Sequence, residues 1–116
     1  MIKESLLQKQ MRFAKSILQL KLFIESVGYT WTDGDAFRDP RVHGEFGEKK
    51  GYGSSHSMHK LKLAEDINLF KNGKFLSDTE DHRNIGMYWE SLGLDHKWGG
   101  YSGDGNHYSI THNGYW

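Results

Sequence analysis

The sequence predicts one domain that combines helices with a small set of short strands, an α+β composition. Three observations predict it: a long amphipathic stretch near the start, an Asn72-Gly73 turn between apolar runs, and a capping sequence ahead of a second amphipathic stretch. At 116 residues the chain is long enough for one modest hydrophobic core but not for two. We therefore expect residues 1–116 to form a single domain.

The first element is a helix over roughly residues 3–27, which Gly28 ends. Its apolar residues form two stripes that we interpret as adjoining: Phe13, Ile17, Leu20, Ile24 and Val27, and Leu7, Met11, Ala14, Leu18 and Leu22. The polar side of the helix is assigned to Lys9, Arg12, Ser16 and Gln19. Because charges of both signs occur along it, packing of one broad apolar face on a sheet is favoured over binding to a membrane surface.

Short strands account for much of the remaining chain. Tyr29 to Phe37 reads as a strand with a turn at Asp33-Gly34, and residues 42–55 read as a glycine-rich loop at the rim of a cleft. Ala64 to Phe70 is predicted to form a hairpin with a return strand that begins at Phe75. His107 to Thr111 is the last predicted strand.

The second helix is predicted to begin at the capping sequence Ser77 to Glu80 and to end at Gly93. Its apolar residues recur with helical spacing and are assigned to the core: Ile85, Tyr88, Trp89 and Leu92. His82 falls on the opposite side, where we expect it to be solvated.

Composition excludes several classes of function. The chain has no cysteine, so disulfides, thiolate metal sites and cysteine nucleophiles are excluded. Its formal net charge is +0, which does not favour binding to nucleic acid or to an anionic membrane. The first residues lack the pattern of a signal peptide, and no apolar run reaches the length of a membrane span. We expect synthesis in the cytoplasm and no stable membrane insertion.

Histidines and aspartates in two segments suggest a catalytic zinc, which takes three protein ligands and leaves one position open. His59 and Asp66 lie in the first segment, and Asp104 and His107 lie near the end of the chain. Spacing alone leaves open whether His56 or His59 would bind the metal. It also leaves open whether Asp104 takes part in chemistry or only occupies a turn beside glycine.

The motifs resemble the VanY/VanX-type zinc peptidases, in particular their phage endolysin members. The family pattern is Ser-x-His, then Ala-x-Asp, then Asp or Glu-x-x-His, and it matches Ser57-Met58-His59, Ala64-Glu65-Asp66 and Asp104-Gly105-Asn106-His107. Three further segments are similar to the family: Gly34 to Arg38, Tyr88 to Gly93 and Trp98 to Gly100. The chain departs from the pattern at Lys62, where the family often has glycine, and at Tyr108, where phenylalanine is common.

The resemblance implies an α+β fold like that of the Hedgehog signalling domain, a small antiparallel sheet with packed helices. It implies that His59, Asp66 and His107 bind zinc and that Asp104 is the general base. It also implies that Arg38 stabilises the oxyanion or binds substrate, although an ion pair with Asp35 is the alternative. Ser57 is expected to bind substrate or to shape its loop, while His56 and His112 are expected not to bind the metal.

The expected function is hydrolysis of an amide in the peptidoglycan stem peptide, between L-alanine and D-glutamate. The resemblance implies a phage enzyme, made in the host cytoplasm and acting on the periplasmic cell wall, and we expect a monomer. Two alternatives remain at this point: a zinc D,D-carboxypeptidase that removes terminal D-alanine, and a non-catalytic cell-wall-binding module whose aromatic residues stack on sugars.

Overall fold

The computed structural model describes residues 3–37, 45–49 and 56–116. These residues form an α+β fold of two α helices and one antiparallel sheet, which confirms the predicted fold class. The helices are α1 (Leu6–Ser26) and α2 (Arg83–Ser91). The strands are β1 (Thr30–Asp33), β2 (Ala64–Lys71), β3 (Lys74–Leu76), β4 (His96–Trp98) and β5 (His107–Ile110), and 3₁₀ turns occupy Met58–Leu61, Thr79–His82 and Gly99–Ser102.

Strand β2 is the centre of the sheet. The strand order is β1-β2-β5-β4, and β3 pairs with the far end of β2. The predicted hairpin is confirmed: Lys71 pairs with Lys74, and both turn residues have positive φ, 53° at Asn72 and 76° at Gly73. The strand predicted over Tyr29 to Phe37 is shorter than expected, and β4 was not predicted at all.

Only one stripe of α1 faces the core. Phe13, Leu20 and Ile24 are buried, and Phe13 meets Trp89 of α2 edge-to-face at 5.7 Å between ring centroids. The prediction that both stripes form one broad face is wrong. The second stripe is solvent-exposed at four positions: Leu7, Met11, Leu18 and Leu22. At 3.6 residues per turn Leu18 lies about 160° around the helix from Leu20, so the two stripes occupy nearly opposite sides.

Ser16 was placed on the polar side of α1, but its side chain is buried. Its hydroxyl lies 2.9 Å from Nε2 of His96, whose Nδ1 lies 3.2 Å from the Asp95 carboxylate. Burial lowers the pKa of His96, which favours the neutral ring that accepts this hydroxyl proton. The guanidinium of Arg12, in α1, lies 2.6 Å from the Asp95 carboxylate. This polar network therefore connects α1 to the turn before β4.

The second helix begins differently from the prediction. Asp78 rather than Ser77 is the N-terminal cap of a 3₁₀ turn, and this turn precedes α2, whose own cap position is occupied by His82. Ile85 and Trp89 are buried as predicted. His82 is a clear error, since it is buried with Nε2 3.3 Å from the Leu76 carbonyl and Nδ1 3.4 Å from the Tyr108 hydroxyl.

Among the described residues, no helix combines the length and the apolar character that crossing a bilayer requires.

Candidate metal centre

Two of the predicted ligands face each other across the sheet. Asp66 in β2 pairs directly with His107 in β5, and side chains of such cross-strand pairs lie on one face within contact distance. The segment after β1 binds the backbone of Asp66. The Asp66 N–H donates to Asp35 O at 2.6 Å, and the Asp66 carbonyl accepts from Gly34 N at 2.8 Å. Antiparallel pairing therefore brings together two residues that are 41 positions apart in sequence.

His59 reaches the same point from the 3₁₀ turn that precedes β2. Ser57 caps this turn, because its hydroxyl oxygen accepts the His59 backbone N–H at 3.2 Å. The ring Nδ1 of His59 donates to the Ala36 carbonyl at 2.7 Å, since a carbonyl can only accept. That contact orients the ring so that Nε2 faces Asp66, as a hydrogen bond on the other ring nitrogen does for metal-binding histidines.

The spacing of the three side chains suits a tetrahedral ion. His59 Nε2 and His107 Nδ1 each lie 3.3 Å from Asp66 Oδ1, and one ligand atom from each residue lies within 4.8 Å of the others. Zinc with bonds of about 2.0–2.1 Å separates neighbouring ligand atoms by about 3.3–3.4 Å. The buried Nε2 atoms of both histidines lack a hydrogen-bond partner in the described part of the chain. Donor type, spacing and the unpaired Nε2 of His59 all fit zinc.

The electrostatics of the cluster favour an ionised carboxylate. Burial of Asp66 opposes ionisation, but the rings of His107 and His59, each with a nitrogen 3.3 Å from Asp66 Oδ1, outweigh it and hold the pKa of Asp66 well below its usual value. A carboxylate that stays charged in a half-buried position is suited to a divalent cation. The site thus offers two nitrogens and one negative oxygen, an appropriate donor set for zinc.

Asp104 begins a tight turn that leads to His107. The His107 N–H donates to the Asp104 carbonyl at 3.2 Å, and the Asp104 N–H donates to Gly99 O at 3.0 Å. Trp98 fixes the middle of the turn, because its indole N–H donates to Gly105 O at 2.7 Å. The backbone of Asp104 is thereby held relative to a metal-site residue, while its side chain is exposed.

A cavity of about 500 Å³ joins these groups, and its lining includes Ser57, His59, Asp104 and His107. His56 also lines it but does not belong to the three-residue cluster, and neither does His112, whose Nδ1 lies 3.1 Å from Lys9 Nζ. Arg38 lies outside the described residues, as does most of the predicted loop over 42–55.

Lys62 ends the 3₁₀ turn that carries His59. Its φ is 57°, in the left-handed region that glycine adopts without steric cost. The departure from glycine at this position therefore places a strained backbone three residues after His59. The Lys62 ammonium lies 5.1 Å from the Phe37 ring, a contact that partly offsets the strain.

Sequence reasoning missed three contributions to the site. One is the Ala36 carbonyl, which no sequence pattern marks. Another is the close packing that Gly99 permits, since an added Cβ there would lie 2.4 Å from Asp104 O and 2.8 Å from His107 Cβ. The third is Tyr115, which lines the cavity after a turn at Asn113-Gly114. An Asn-Gly pair is a strong turn signal, so this last residue was detectable.

Comparison of the sequence with known protein families and with curated proteins gave no match to either.

Proposed function

We propose that this chain is a zinc peptidase that hydrolyses an amide bond of the peptidoglycan stem peptide, between L-alanine and D-glutamate. The observation that supports it most is the cluster of His59, Asp66 and His107, whose two histidines line a cavity that Asp104 also lines. A bound zinc would supply Lewis acidity to polarise the amide carbonyl and to acidify a water molecule. The motif resemblance supplies the substrate class.

The roles of the side chains follow from their positions. His59, Asp66 and His107 would hold the ion, with the Ala36 carbonyl fixing the His59 ring. Asp104 would accept a proton from the attacking water and return it to the leaving amine, because its exposed carboxylate lines the same cavity. Arg38 is proposed, from the resemblance alone, to stabilise the oxyanion.

The first test separates the general base from the ligands. Asp104→Asn should retain one zinc per chain, because the three ligand side chains are unchanged, and turnover should fall by at least ~10²-fold. His107→Ala should lose zinc and turnover together. His112→Ala is the matched control, since His112 lies outside the cluster and should keep both. Full zinc with turnover within a few-fold of wild type in Asp104→Asn would remove Asp104 from the mechanism.

Product analysis tests the bond that is cut. Mass spectrometry of digested peptidoglycan should show new amino termini on D-glutamate and no new reducing sugars. Release of D-alanine alone would identify the D,D-carboxypeptidase instead. A purified protein that binds no zinc and releases nothing, while binding the cell wall, would indicate the non-catalytic module.

A further inference from the structure

One side of the cavity is aromatic, and neither the metal cluster nor Asp104 accounts for it. We call this side the aromatic wall and define it as His56, Tyr115 and Trp116, all of which line the cavity. The rings of His56 and Tyr115 are stacked, with centroids 4.4 Å apart and planes within 9°. Phe46 contacts both rings edge-to-face, with its centroid 5.3 Å from that of His56 and 5.9 Å from that of Tyr115.

A tight turn after β5 builds the wall. His112 and Tyr115 exchange two backbone hydrogen bonds of 2.9 and 3.0 Å across Asn113 and Gly114. Both central residues have positive φ, 51° and 82°, which defines a two-residue hairpin of the type that Asn-Gly favours. Lys9 of α1 donates to the Thr111 carbonyl at 3.2 Å and so anchors the base of the turn. Tyr115 is therefore held in place by the fold.

The wall also leaves apolar surface open to solvent. Tyr115 is 43% exposed and Trp116 is 41% exposed, and both line a cavity that is also lined by the polar side chains of Asp104 and His107. By contrast, Trp89, Trp98 and Tyr108 are fully buried in the core. Large, rigid aromatic surfaces beside polar groups are typical of sites that bind ligands with one apolar and one polar side.

We propose that the aromatic wall is a sugar-binding subsite, which holds the pyranose ring of the N-acetylated amino sugar that carries the stem peptide. The proposal rests on the proposed function. A pyranose presents a face of C–H groups that stacks on an aromatic ring, while its hydroxyl and acetamido groups remain hydrogen-bonded to water at the rim. The stem peptide is joined to this sugar through its first residue, L-alanine.

Distance along the substrate makes the proposal specific for one bond. A residue of extended chain spans at most ~3.6 Å, so the amide after L-alanine lies about one residue from the link to the sugar. The terminal D-alanyl bond lies four residues away, roughly 14 Å. A cavity of about 500 Å³ can hold the sugar and the first of these bonds together. A sugar subsite in this cavity therefore favours endopeptidase cleavage next to the glycan.

The test compares two soluble substrates: N-acetylmuramyl tetrapeptide and the same tetrapeptide without the sugar. Wild-type protein should prefer the sugar-bearing substrate in kcat/KM, and Trp116→Ala should reduce that preference about tenfold, which corresponds to about 1.4 kcal/mol. Tyr115→Phe should keep the preference, because the ring face is retained. Tyr101→Ala is the matched control, an exposed aromatic on the neighbouring turn that does not line the cavity.

Binding to the zinc-free protein provides a readout that does not depend on catalysis. Titration calorimetry should give tighter binding of the sugar-bearing tetrapeptide than of the bare one, and Trp116→Ala should remove the difference. If wild type cuts neither substrate, the proposed function fails, and this binding comparison still decides the role of the wall. Equal binding of the two ligands, or a Trp116→Ala variant that keeps the preference, would overturn the subsite.

Discussion

Replacement of Gly99 by alanine is a sharp test of how the fold positions the site. A Cβ at residue 99 would lie 2.4 Å from the carbonyl oxygen of Asp104 and 2.8 Å from Cβ of His107. An ordinary carbon–oxygen contact needs roughly 3.4 Å, so the turn from Asp104 to His107 must move by about 1 Å. It cannot move freely, because Trp98 and Ile67 bind its backbone at Gly105 and Asn106.

A shift of this size should be costly for a metal site and for catalysis. A displacement of 1 Å can reduce catalysis by ~10²-fold, because reacting groups leave their productive geometry. We therefore expect Gly99→Ala to lower turnover about 100-fold and to weaken zinc binding, since His107 moves relative to Asp66. Zinc affinity is measured by competition with a chelator, and turnover is measured on purified peptidoglycan.

Gly73→Ala controls for the chemical change itself. Gly73 lies in the β2–β3 turn with positive φ, and no heavy atom lies within 4 Å of its added Cβ. The Gly73→Ala substitution should lower the free energy of unfolding by about 1 kcal/mol and leave zinc affinity unchanged. If Gly99→Ala were folded with wild-type zinc affinity and turnover within a few-fold, close packing at Gly99 would not be what positions the Asp104–His107 turn.

Three further predictions concern stability, measured as the free energy of unfolding in urea. Burial lowers the pKa of His82 in the folded protein, so the unfolded chain binds a proton first as the pH drops below about 6.5. Stability should fall on acidification, by at most about 1.4 kcal/mol per pH unit from this residue. His82→Gln should reduce the slope of stability against pH between pH 7.5 and 5.5. An unchanged slope would contradict the burial of a neutral His82. Lys62→Gly should stabilise the protein by roughly 0.5–1 kcal/mol, because glycine relieves the positive φ, and a loss of stability would contradict that reasoning. Leu20→Ala should lower the free energy of unfolding by about 3 kcal/mol, whereas Leu18→Ala should change it by no more than about 0.5 kcal/mol. Equal losses of stability would mean that both stripes of α1 are buried.

Local sequence rules predicted the elements that depend on neighbouring residues. The Asn72-Gly73 pair identified the hairpin because a two-residue turn with positive φ at both positions depends little on the rest of the fold. The motif order identified His59, Asp66 and His107 as one candidate site, and the side chains of these residues lie together in the structure. That they bind zinc and catalyse hydrolysis remains a prediction.

Only the tertiary structure decided which side of each element is buried. The two stripes of α1 are similar in apolar character, and contact with Trp89 selects the one that contains Phe13. His82 read as a solvated helix residue because the Leu76 carbonyl and the Tyr108 hydroxyl that enclose it come from other parts of the chain. Periodicity reports on residues three or four positions apart, whereas burial depends on partners brought together by the whole fold. The sequence alone thus determined the two helices, the hairpin and the three clustered residues, and tertiary packing determined their surroundings.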